Sequence, residues 1–128
     1  MSVAGIVVAA GSGSRLGKQT NKALLPLGGH ALFLYALRAL RPAVDTLLLV
    51  TRAAEQPAFA KLAEEAGLAV DLYVTGGEQR RHSVENALSA LPEGVEMVLV
   101  HDAARPFASP ALVHRVLAAA RERGAAIP

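Results

Sequence analysis

The chain contains no cysteine in its 128 residues. Disulfides and cysteine–zinc sites are therefore excluded, and a reducing compartment fits. No uninterrupted apolar run approaches the roughly 20 residues that span a membrane. No basic segment precedes the first apolar stretch, so no secretory signal is visible. These absences lead to the expectation of a soluble, cytoplasmic protein with no membrane partner. Neither sign of charge is in excess: 13 Lys and Arg against 11 Asp and Glu leave +2, which gives no sign of a nucleic-acid-binding surface. What is present suits an ordered globular domain, with 52% hydrophobic and 19% charged residues. A chain of this length buries about two-thirds of its unfolded surface.

Strand and helix signals alternate along the chain with short punctuation. Ile6-Val7-Val8-Ala9 is continuously apolar, as a strand covered on both faces should be. Gly28-Gly29 precedes an apolar stretch, Ala31 to Leu40, that reads as a helix stopped by Arg41-Pro42. Thr46 to Val50 is a second strand. Pro57 suits the first turn of a helix with Phe59, Leu62, Ala63 and Ala66 on one face, closed by Gly67. Val70, Leu72 and Val74 alternate with polar-tipped neighbours as a half-exposed strand. Val84, Ala87, Leu88 and Leu91 repeat the helical spacing, and Met97 to Val100 is a fourth, fully apolar strand. Ser109-Pro110 starts a helix with Leu112, Val113, Val116, Leu117 and Ala120 on one face, and Gly124 ends it. Ala125 to Pro128 reads as the opening of a fifth strand. The expectation is a single α/β domain over 1–128, with a parallel sheet wrapped on both sides by helices. In such a sheet the loops that follow strands share one edge, where ligands bind. Those loops are Gly11–Lys22, Thr51–Glu55, Thr75–Arg81 and His101–Pro106.

Two familiar glycine motifs are missing from the first loop. A Walker A loop needs Gly at position 12 and Ser or Thr at 19, where Ser12 and Gln19 stand. The dinucleotide fingerprint needs Gly at 16, where Leu16 stands. Yet Gly11, Gly13 and Gly17 with Arg15, Lys18 and Lys22 follow an apolar strand. Such a loop lets backbone N–H groups approach phosphates while cations neutralise them. Arg15 offers a fork for two phosphate oxygens and Lys22 a point charge; Lys18 suits solvent equally well.

Thr75 to Leu88 and Val98 to Phe107 carry the other polar loops. Gly76-Gly77 permits close approach by a ligand, or is only a turn. Glu78, Arg80 and Arg81 read as a solvated first helical turn, and Ser83 as an N-cap or a ligand contact. Asp102, at the carboxyl end of an apolar strand taken as central, is placed to hold Mg²⁺ near phosphates, or to pair with Arg105. His101 suits packing or hydrogen bonding, and His30, His82 and His114 have no metal-like spacing.

Together and in this order, AAGSGSRLG (Ala9 to Gly17), the Lys22 region, GGEQRRHSV (Gly76 to Val84) and HDAARPF (His101 to Phe107) resemble the cytidylyltransferase family of the non-mevalonate isoprenoid pathway. That family joins 2-C-methyl-D-erythritol 4-phosphate, a sugar-alcohol phosphate, to CTP. The resemblance spans nearly the whole chain and implies a doubly wound, mostly parallel, Rossmann-like nucleotidyltransferase fold, here its N-terminal portion. It implies that Ala9, Ala10, Gly11, Ser12 and Gly13 line the CTP site, and that Arg15 and Lys22 are catalytic cations on the triphosphate. The Gly77 backbone and the Ser83 side chain would read the cytosine, Glu78 would belong to the nucleotide site, Asp102 would sit beside Mg²⁺, and Ala103 near the ribose. Arg105 would support that loop or the acceptor. The family continues beyond residue 128, with most acceptor-binding residues and an arm to a second subunit, so a homodimer is implied. The family usually has Pro-Lys-Gln and an aromatic where Asn21-Lys22-Ala23-Leu24 stand. Relatives acting on ribitol 5-phosphate typically carry Val in place of Ala104. That acceptor, another nucleotidyl transfer, or nucleotide binding without transfer are the alternatives.

Overall fold

The computed structural model describes residues 2–11, 21–105 and 109–125. Its sheet is built around β1 (Val3–Val8). Strand β4 (Thr46–Thr51) pairs with β1 on one side and β6 (Met97–Asp102) on the other, while β5 (Leu72–Thr75) lies outside β4. All pairings are parallel, with Ile6 opposite both Leu48 and Val100, and Val8 opposite Val50 and Asp102. Because β1 and β4 have strands on both edges, their side chains have no solvent-facing alternative, and both read as unbroken apolar runs.

The order β5-β4-β1-β6 places a topological switch beside β1. The chain steps outward from β1 to β4 to β5, then crosses back to add β6 on the opposite side. The reversal of strand order falls between β1 and β6, and open parallel sheets bind ligands outside the carboxyl ends of the strands at such a point.

Helices cover the two faces unequally. Val3, Val7, Leu47 and Leu49 pack with α1 (Leu32–Leu40), α2 (Gln56–Glu65) and α4 (Pro110–Arg123). The alternate residues Ala4, Ile6, Leu48 and Val50 meet Ala87 of α3 (Arg80–Ser89). Phe33 and Phe59 meet edge to face, ring centroids 4.7 Å apart, and lock α1 against α2. Ser109 Oγ accepts from the Leu112 N–H, Pro110 takes the first turn of α4, and Gly124 ends that helix in the left-handed conformation. These are the stop and start signals read from the sequence.

Four local expectations are corrected. The segment before α1 is a small antiparallel hairpin, β2 (Pro26–Leu27) and β3 (His30–Ala31), turned by Gly28 and Gly29 at φ 60° and 86°. Two consecutive positive φ values are what the two-residue hairpin turn requires. Leu88 is 45% exposed rather than part of the buried face of α3, because the sheet covers only the stripe of Ser83 and Ala87. Among the described residues strand β6 lies at the sheet margin and not at its centre, and Val100 is 43% exposed. Finally, Val70 and Asp71 precede β5 instead of opening it. Ala126 to Pro128, read as part of a fifth strand, lie outside the described residues.

Asp71 belongs to a brace at the amino edge of the sheet. Arg41 Nη1 donates to Asp71 Oδ2 at 2.8 Å and to the Ala69 carbonyl at 3.1 Å; Nη2 donates to the Val44 and Asp45 carbonyls. Asp71 Oδ2 also accepts the Leu47 N–H at 2.7 Å, and Asp45 Oδ2 accepts the Val3 N–H at 2.8 Å. Burial pushes the Asp71 carboxyl up, but the Arg41 hydrogen bond, the Leu47 N–H and the Arg41 charge outweigh it and hold the group below the usual carboxylate range. With the folded value below the unfolded one, its stabilisation is complete above about pH 4–5 and is lost as pH falls through the folded value. Asp71 is 43% exposed, so solvent screening limits the pair to about 1 kcal/mol or less. Asp71→Asn should therefore lower the urea midpoint at pH 7 and leave a smaller gap to wild type at pH 3. An equal gap at both values would remove the charge from the account.

Candidate functional site

A parallel sheet delivers all its carboxyl-terminal loops to one rim, and the described candidate residues lie there. Ala9 extends β1 beyond its last paired residue by donating its N–H to the Val50 carbonyl at 2.7 Å. It is buried, Ala10 is half-buried and Gly11 is exposed. An added Cβ at Gly11 meets nothing within 4 Å among the described residues. Ser12, Gly13, Arg15 and Lys18 lie outside the described residues. Lys22 re-enters on a 3-10 turn, Lys22–Leu24, with its side chain exposed.

The loop after β5 is pressed against the loop after β1. Gly76 donates to the Thr51 carbonyl at 2.8 Å. A Cβ on Gly76 would overlap the Ala10 Cβ and stand 2.7 Å from Ser83 Oγ. A Cβ on Gly77 would overlap the His82 Cβ. Both glycines are thus demanded by contact. Ser83 is buried and accepts the Gly77 N–H on Oγ at 3.2 Å, so it fixes the glycine pair from beneath. It is not the N-cap of α3. Gln79 is: its carbonyl accepts the His82 N–H at 3.0 Å, while His82 Nδ1 accepts the Gln79 N–H at 3.3 Å. Glu78 is exposed at the rim.

The third loop follows β6 across the switch point. Ala103 donates its N–H to the Val8 carbonyl at 2.9 Å and is buried, which holds Asp102 level with the end of β1. Arg80 Nε lies 3.0 Å from Asp102 Oδ1, and Arg105 Nε 3.7 Å from Oδ2. Arg105 also donates its N–H to the Asp102 carbonyl at 3.1 Å, and His101 Nδ1 lies 2.7 Å from that same oxygen. Reading Arg80 as merely solvated was therefore incomplete. It spans 22 residues of sequence to join α3 to the Asp102 loop. Its place in the first turn of a helix that opens on this rim was the available signal.

Charge at the rim favours a polyanion. Asp102 is flanked by two guanidinium groups, with side-chain exposures of 58% and 82% for Arg80 and Arg105. Exposed pairs of this kind contribute little and exchange partners readily. No cluster of three His, Asp or Glu side chains able to hold a metal ion occurs among the described residues. One carboxylate, 37% exposed, fits a Mg²⁺ ion shared with ligand phosphates and water rather than held in a protein cage.

The geometry brings Ala10, Gly76, Gly77 and Ser83 together, sets Asp102, Ala103 and Arg105 beside the end of β1, and ties Lys22 to it through Asn21. Sheet order and flanking helices define a Rossmann-like α/β domain. The chain belongs to the 2-C-methyl-D-erythritol 4-phosphate cytidylyltransferase family, whose sequence profile matches residues 3–128. It is 41% identical over 125 residues to the Gloeobacter violaceus protein of that name, covering 95% of this chain and 54% of the relative. A Thermus thermophilus protein of the same name is also 41% identical, over 128 residues, with all of this chain and 54% of the relative covered. The crystal structure of the 4-diphosphocytidyl-2C-methyl-D-erythritol synthase of Anaerococcus prevotii superposes with a TM-score of 0.79 at 28% identity, over 94% of this chain and 52% of that one. The chain thus spans about half the length of the curated relatives it matches. No helix among the described residues is long and apolar enough to cross a membrane.

Proposed function

We propose that the protein transfers a cytidylyl group from CTP to 2-C-methyl-D-erythritol 4-phosphate, giving 4-diphosphocytidyl-2-C-methyl-D-erythritol and pyrophosphate. The observation that carries this reading is the contact of Gly76 with Ala10 and Ser83, with Asp102 beside the end of β1. On this reading the base meets the Gly76-Gly77 side of the rim and the phosphates the side of Asp102 and the end of β1.

The acceptor phosphate oxygen attacks the α-phosphorus in line. The α–β bridging bond breaks, and its electron pair leaves with pyrophosphate. The nucleophile is already anionic, so no base or covalent intermediate is needed; the work is positioning and charge stabilisation. Ala9 to Gly13 offer backbone N–H groups to the nucleotide. Arg15 and Lys22 hold the triphosphate as charge moves onto the leaving group. Gly77 and Glu78 face the cytosine, with Ser83 fixing the Gly77 peptide. Ala103 abuts the ribose, and Arg105 supports the Asp102 loop or the acceptor. Asp102 would hold Mg²⁺, which when bound offsets the repulsion between the two phosphate groups. On this reading the full-length protein is a cytoplasmic homodimer.

Calorimetry with CTP, UTP, GTP and ATP, each with Mg²⁺, tests the nucleotide. A clear preference for CTP is expected; preference for another base would move the assignment to another nucleotidyl transfer. Pyrophosphate release by the full-length protein with methylerythritol phosphate, against ribitol 5-phosphate, then decides the acceptor. No release with either would leave only a nucleotide-binding protein.

A further inference from the structure

One buried side chain joins the beginning and the end of the first rim loop. Asn21 is only 4% exposed. Its Nδ2 donates to the Ala9 carbonyl, 12 residues earlier, at 2.6 Å, and to Glu55 Oε1 at 3.1 Å. Its Oδ1 accepts the Ala23 N–H at 3.0 Å and so caps the turn that begins with Lys22. The orientation of this carboxamide is determined: turned over, it would set oxygen against both the Ala9 carbonyl and the Glu55 carboxylate. Glu55 closes the 3-10 turn after β4, so one amide connects the loops after β1 and β4 and the residue before Lys22. A buried, fully satisfied polar cluster of this kind specifies geometry.

We propose that Asn21 is a positioning residue that sets Lys22 against the end of β1 for contact with the outer phosphates of the nucleotide. This rests on the reading of Lys22 as a triphosphate cation given above. The role is distinct from folding alone, because the groups joined are one neighbour of Lys22 and the carbonyl where the phosphate-facing loop begins.

Asn21→Asp keeps the size and the Oδ1 acceptor but turns the donor into a carboxylate oxygen facing Ala9 and Glu55. Binding of CTP and of CMP, each with Mg²⁺, is measured by calorimetry on the full-length protein alongside the melting temperature. CTP affinity should fall about tenfold, the loss of one charge-assisted hydrogen bond, while CMP affinity stays within about twofold. In a Lys22→Ala background the same change should have little further effect. Glu55→Ala, at a less buried position, should weaken CTP by about threefold and leave CMP unchanged; this arm decides if Asn21→Asp fails to fold. Equal weakening of CTP and CMP, additivity with Lys22→Ala, or unchanged CTP binding in Glu55→Ala would overturn the proposal. A wild-type protein that does not bind CTP would instead overturn the nucleotide assignment, and this proposal with it.

Discussion

Lys22→Ala is expected to lower turnover of the full-length protein by hundreds-fold, roughly 3–4 kcal/mol of barrier, with little change in melting temperature. Lys22 is exposed and outside both apolar clusters, while its neighbour Ala23 anchors the turn in the core, so truncating the lysine side chain leaves the core intact. Exposed substitutions away from packing usually change stability by about 0.5 kcal/mol or less. On the proposed mechanism the rate effect is large because two anions must approach each other and charge then accumulates on the departing pyrophosphate. A fixed cation acts most strongly where that charge develops. Arg15→Ala carries the same expectation from its motif. A full time course with each variant, at saturating CTP and acceptor, is the measurement. Near-normal turnover in both would remove these cations from the mechanism.

Gly76→Ala should be the most damaging single-carbon change at the rim. The new Cβ would overlap the Ala10 Cβ, stand 2.7 Å from Ser83 Oγ and meet Val50 Cγ1 at 3.4 Å. Ala10 and Val50 are parts of the sheet and its extension, so the strain falls on the loop and on α3. Overpacking of this kind costs about 1–3 kcal/mol. Relief requires Ser83 to move, which breaks its bond to the Gly77 N–H. Denaturant titration and CTP calorimetry should both register the change, with a lower midpoint and greatly weakened binding. Gly11→Ala is the control for the midpoint alone, since its added carbon touches nothing among the described residues. If Gly76→Ala binds CTP as wild type does, the close approach of the two loops has no part in the site.

Elements with long-range apolar demand were legible in the sequence, and residues whose role is set by distant partners were not. Ile6 to Ala9 read correctly as a doubly covered strand, because burial on both faces leaves no polar alternation. Ser109, Pro110 and Gly124 bounded α4 because caps are local chemistry. The β2–β3 hairpin escaped, since two-residue strands have no periodicity to detect. Leu88 kept helical spacing but not burial; the sheet beneath α3 covers a stripe too narrow to reach it. Arg80 and Asp102 became a pair only through the crossover that places α3 beside the end of β6. Asn21 was equally hidden, because nothing near it in sequence announces that a polar amide will be buried between two loops. Ala9 to Gly11, Gly77, Ser83, Asp102 and Ala103 were picked out by motif, and the structure sets them on one rim. The buried contacts beneath them came from the three-dimensional structure alone.

The unequal cover of the two faces has a consequence for motion. Six residues of α1 are buried, but only Ser83 and Ala87 of α3. Local opening is cheapest where few apolar contacts are lost, so α3 detaches from the sheet more readily than α1. Yet α3 carries Ser83, which pins Gly77, and Arg80, which reaches Asp102. On the nucleotide reading proposed above, detachment and occupancy of the rim exclude each other, and a bound nucleotide adds about 2.7 kcal/mol to the cost of opening at a hundredfold excess over its Kd. On that reading a helix anchored by few buried residues is ordered by the ligand it helps to grip, so affinity and local rigidity rise together.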